Sequence, residues 1–220
     1  QMLTHALPLT VLQYRRDRLL VQRVRQTLAA QPQLTRNAED LAALLNVSAR
    51  TLHRQLKEEG ATLQALKDEV RRDRAVALLK RASGEGSAKA TFNLGVLAQD
   101  GVVGKPEDAL DYFRRAARDG EYDSYRAAAI LLDEGRGVPK NPGEAANMLL
   151  RGAAEDGGTV VSDLTGRSDQ WSKETIAQVQ LRLAAAGLYA SKVDGLPGPG
   201  FTTALEQWRN GGFDAGVLGE

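Results

Sequence analysis

Four side chains able to meet a polyanion share one helical edge. Arg50, His53, Arg54 and Lys57 stand at i, i+3, i+4 and i+7. A guanidinium donates two hydrogen bonds to guanine O6 and N7, and an imidazole gives or takes one at a base edge. Arg50, His53 and Arg54 are therefore the expected base-reading residues. Arg36, Ser48, Thr51 and Lys57 flank them and suit phosphate oxygens, which orient a protein on double-stranded DNA without reporting its sequence. Arg-rich edges also occur on ordinary solvated helices, so the elements that carry these residues decide between the readings.

Other chemistry is poorly represented. Cys is absent, and the two histidines, His5 and His53, are far apart. Disulfides, thiolate nucleophiles and His-ligated zinc are thereby set aside. No Gly-x-Ser-x-Gly elbow occurs, and the glycines from Gly195 to Gly200 are wrongly spaced for a phosphate loop. Asp133-Glu134 and Glu155-Asp156 fall at expected turns and read as solvated ends. A non-enzymatic protein without metal or cofactor is expected.

The cationic edge needs a helix behind it. Asn37 is placed to cap a first helix, with Glu39 and Asp40 in its first turn. Leu41, Leu44 and Leu45 make an apolar stripe. Asn46-Val47-Ser48 interrupts it, Ser48 caps a second helix, and Gly60 ends that helix. Leu52 and Leu56 lie opposite the cations and can pack on Leu41, Leu45 and Val47. Two short helices joined by a three-residue turn form a helix-turn-helix outline, whose second helix fits a major groove.

The run from Asn46 to Gly60, with Asp40-Leu41-Ala42 before it and Leu63-Gln64 through Arg71 after it, resembles the AraC family of transcription regulators. The resemblance implies that Arg50, His53 and Arg54 face bases. That family carries two helix-turn-helix units, whereas this chain shows one. Tight binding would then need a dimer reading half-sites about 34–36 Å apart, or a multiple of that.

A second pattern begins at Ala75. The run Ala75 to Gly86 recurs at Ala109 to Gly120 and at Ala146 to Gly157, spacings of 34 and 37 residues. Phe92 to Leu97 and Ala127 to Leu132 fill the intervals, each followed by a Gly-rich turn, and small residues such as Ala90, Gly95, Ala98 and Ala128 permit close helix approach. With Gly135-Arg136-Gly137-Val138-Pro139-Lys140-Asn141 and Arg114-Arg115-Ala116-Ala117, this resembles the Sel-one-like repeat, a relative of the tetratricopeptide repeat. The resemblance implies a helical-hairpin solenoid, either a groove for a protein or peptide or a passive spacer.

The last stretch carries Ile176 to Leu183, then Gly187-Leu188-Tyr189, Val193-Asp194-Gly195, Gly198-Pro199 and Thr202 to Trp208. This order resembles the three-helix peptidoglycan-binding domain. Asp194 is expected to hold loop amides. With no export signal or membrane span read in the chain, a cytoplasmic protein is expected, and a protein-contact role is favoured over glycan binding.

Ala, Leu and Arg abound while aromatics reach only 5%, which favours helices. The expected fold is all-α: a helix-turn-helix bundle, a short α-solenoid and a small three-helix module. The expected divisions are an extension at 1–17, the helix-turn-helix with its joining helix at 18–74, repeats at 75–157, a linker at 158–169 and the last module at 170–220. Net charge is +1, yet residues 14–81 carry a surplus of seven positive charges and residues 82–220 a deficit of six. That asymmetry assigns the polyanion partner to the first third. A DNA-binding regulator with a repeat scaffold is the leading expectation. A cell-envelope repeat scaffold, and a recombined or engineered fusion sharing one helix from Glu69 to Val76, are the alternatives.

Overall fold

The protein is all-α, and the computed structural model describes residues 19–219. The expected extension at 1–17 lies outside them. Among the described residues there are eleven α-helices and no strands. The chain forms two compact units, residues 1–78 and 79–220.

In the first unit, α1 (Leu20–Ala30), α2 (Ala38–Leu44), α3 (Ala49–Glu58) and the start of α4 (Leu63–Gly84) surround one apolar core. Val24, Leu41, Leu52 and Leu56 are at most 1% exposed. Asn37 accepts from the Asp40 amide at 2.7 Å, so α2 begins where a local cap is available. It ends at Asn46, whose φ of +56° turns the chain; Asn tolerates that left-handed conformation better than most residues. Ser48 then caps α3 by accepting from the Thr51 amide at 3.1 Å. Two short helices joined by a turn at Asn46 are thus present in the backbone.

In the second unit, α5 (Ala88–Gln99) pairs with α6 (Ala109–Arg118), and α7 (Asp123–Glu134) pairs with α8 (Pro142–Glu155). These hairpins follow the repeat spacing. Gly95 is required where α5 meets α6: a Cβ there would stand 2.6 Å from Cε1 of the buried Phe113.

The expected linker at 158–169 is corrected. Most of it is α9 (Thr159–Gly166), with Val160 and Leu164 fully buried. Asp163, 1% exposed, pairs with Arg126 and Arg167, which offsets its desolvation. Beyond it, α10 (Lys173–Ala185) and α11 (Pro199–Gln207) share one continuous core with the hairpins. Trp208 donates its indole N–H to the Leu150 carbonyl at 2.8 Å, and Asn147 donates to the Leu218 carbonyl at 3.0 Å.

Candidate functional site

The buried Leu52 and Leu56 of α3 fix the opposite edge of that helix toward solvent. Arg50, His53, Arg54 and Lys57 are all exposed. Arg54 pairs with Glu58 at 2.9 Å, an exposed i, i+4 contact of little strength. Arg50 and Lys57 have no ion pair among the described residues. The arrangement leaves several cationic donors available to an anionic partner.

The flanking residues are more constrained. The hydroxyls of Ser48 and Thr51 lie 2.9 Å apart, so one of their two protons is spent within the cap. Arg36 is exposed, and its carbonyl accepts from Lys67 at 3.0 Å. Sequence reasoning passed over Glu59, which joins the end of α3 to the start of α1. Its two carboxylate oxygens accept from the Leu20 and Val21 amides at 2.9 Å each. The partners are 39 and 38 positions apart, so no local pattern announces them.

The second unit holds its polar groups for support. Asp133, expected at a solvated turn, is instead buried near the end of α7, where it accepts from the Ser172 amide at 3.0 Å and from the hydroxyls of Ser172 and Thr175. Gln180, fully buried, donates to the Leu196 carbonyl and accepts from the Asp194 and Gly195 amides at 3.0 and 2.9 Å. Asp194 accepts from the Leu196 amide at 3.0 Å, so it holds a loop amide as the sequence predicts. A Cβ at Gly195 would stand 2.4 Å from the Lys173 carbonyl oxygen, and its φ is +72°; both require glycine. Burial raises the Tyr125 phenol above its ordinary pKa, with the Glu155 carboxylate adding to the shift. Burial lowers Arg182, while a hydrogen bond to Glu121 raises Lys89.

Among the described residues, no group of three His, Cys, Asp or Glu could hold a metal ion. No helix among them is long and apolar enough to cross a membrane.

The fold and sites define an all-α protein whose second unit is built from paired helical hairpins. No family model matches the chain. Over 83 residues it is 37% identical to "DAP3-binding cell death enhancer 1" of Rattus norvegicus; the match covers 38% of this chain and 16% of that protein. The chain therefore spans a small part of that relative. Comparison with a crystal structure of a Sel1 repeat protein from Oxalobacter formigenes gives 17% identity and a TM-score of 0.40, covering 89% of this chain and 86% of that one.

Proposed function

We propose that the chain is a non-catalytic adapter, with a Sel-one-like scaffold for a protein partner in residues 75–157 and an AraC-type DNA-binding unit before it. The observation behind the scaffold is the pairing of α5 with α6 and of α7 with α8 at the spacing of the sequence repeat. Such hairpins bury their apolar faces on one another and leave side chains of successive repeats in register for a partner. The likeness to a protein named for binding DAP3 favours a protein ligand. A photo-crosslinking residue at the exposed Val96 should trap one defined protein in the source cells. No adduct, or the same adducts from a control position at Arg118, would exclude this use of the hairpins.

The DNA reading is favoured by the open edge of α3, where Arg50, His53 and Arg54 stand clear of the core. Arg50, His53 and Arg54 would meet base edges in a major groove. Arg36, Lys57 and the hydroxyl proton left over between Ser48 and Thr51 would meet phosphates. Two copies would be needed for tight binding, because one unit makes few contacts. Fluorescence anisotropy with a labelled duplex, comparing the chain with its Arg50→Ala/Arg54→Ala variant, tests this reading. Equal affinities would rule out base reading by α3. The last module, whose loop is organised around Gln180, serves protein contact in this scheme rather than glycan binding.

A further inference from the structure

Leu28, Ala29, Pro32 and Val70 line the apolar part of an open groove of about 840 Å³ in the first unit. Its other walls are cationic. Arg25, Arg36, Lys67, Arg71 and Arg74 face it, against only two carboxylates, Glu69 and Asp73. Glu69 is engaged with Arg25 at 2.7 Å, and the Nε of Arg25 is buried without a hydrogen-bond partner. Lys67 reaches the Arg36 carbonyl and Arg71 pairs with Asp68 at 3.1 Å. The Arg36 and Arg74 side chains have no ion pair among the described residues.

The arrangement of these charges selects an occupant. Lys67, Arg71 and Arg74 stand at i, i+4 and i+7 on α4, a ridge about 10 Å long at 1.5 Å per residue. A small anion needs converging donors, whereas a ridge is matched by a row of carboxylates at the same spacing. Duplex phosphates would gain nothing from the apolar floor. We propose that this groove receives an acidic amphipathic helix of a protein partner. Its apolar face would lie on Leu28, Ala29 and Val70, with its carboxylates along Lys67, Arg71 and Arg74. This is the helix-in-groove mode of recognition, and it does not depend on the DNA reading of α3.

The test uses the full chain and a fluorescein-labelled synthetic helical peptide with a leucine face and a glutamate face. Its counterpart carries lysine in place of every glutamate. The glutamate peptide should bind saturably and the lysine peptide should not. Arg36→Gln/Arg74→Gln should weaken binding about tenfold, and more at low salt. Ala29→Glu places a like charge on the exposed floor and should abolish binding, with circular dichroism confirming an unchanged fold. Arg50→Ala/Arg54→Ala should bind the peptide as the parent does, which separates this groove from the α3 edge. Equal binding of both peptides, or undiminished affinity in the groove variants, would overturn the proposal.

Discussion

Glu59 shows how much one side chain contributes to placing the cationic edge. The first amides of α1 have no partner within their own helix, and Leu19, which precedes them, offers no side-chain cap. The Glu59 carboxylate supplies both acceptors and puts negative charge at the positive end of the helix dipole. Because Glu59 directly follows α3, the same contact ties the end of the cation-bearing helix to α1. Loss of such a cap costs about 1 kcal/mol. Glu59→Ala should therefore destabilise the first unit by about that amount, and Glu59→Gln by less, since an amide keeps one acceptor oxygen. Amide exchange at Leu20 and Val21 should speed up in the alanine variant. Unchanged protection at those two amides would show that the contact does not hold the helix start.

At the scale of elements, the close approach of α5 and α6 rests on Gly95. Two opposed effects govern Gly95→Ala. Alanine favours a helix over glycine by about 1 kcal/mol. The added methyl, however, would meet the Phe113 ring, which is 1% exposed and packs on Phe92 at 5.5 Å between centroids. Overpacking of this kind costs about 1–3 kcal/mol. A net loss of stability is expected in urea, read from Trp171 and Trp208, which sit in the same core. A more stable variant would mean that the helices part without cost. Elements of this kind were legible in the sequence wherever their determinants are local. Asn37 and Ser48 cap the helices that follow them, and the Ala and Leu pattern repeats through the hairpins. Helix α9 was not legible, because Ser162, Asp163 and Thr165 between its apolar residues read as loop. Asp163 is held inside by two cations, the nearby Arg167 and Arg126, which lies 37 positions earlier. The groove on α4 was not legible either, because its apolar floor required α1 and Pro32 to be brought alongside.

At the scale of the whole molecule, the uneven distribution of charge makes ionic strength the discriminating variable. A protein that neutralises duplex phosphates releases counterions, so the logarithm of its affinity falls linearly with the logarithm of salt concentration, by about 0.9 per phosphate. The exposed Arg50, Arg54 and Lys57 supply three cations on α3, and the exposed Arg36 a fourth ahead of α2. If Arg36 and Lys57 meet phosphates while Arg50 and Arg54 read bases, the slope should be about −2 to −3 per bound chain. An Arg that reads a base contributes to discrimination, about 1–3 kcal/mol per good bidentate pair, and less to the salt slope. Lys57→Ala should therefore flatten the slope by about one and weaken all sequences alike. Arg50→Ala/Arg54→Ala should instead narrow the gap between preferred and random duplex while leaving more of the slope intact. Anisotropy titrations across a salt series, on one preferred and one random duplex, separate the two classes of residue. If the arginine pair changed only the slope, α3 would be a phosphate contact and its edge would carry no sequence preference.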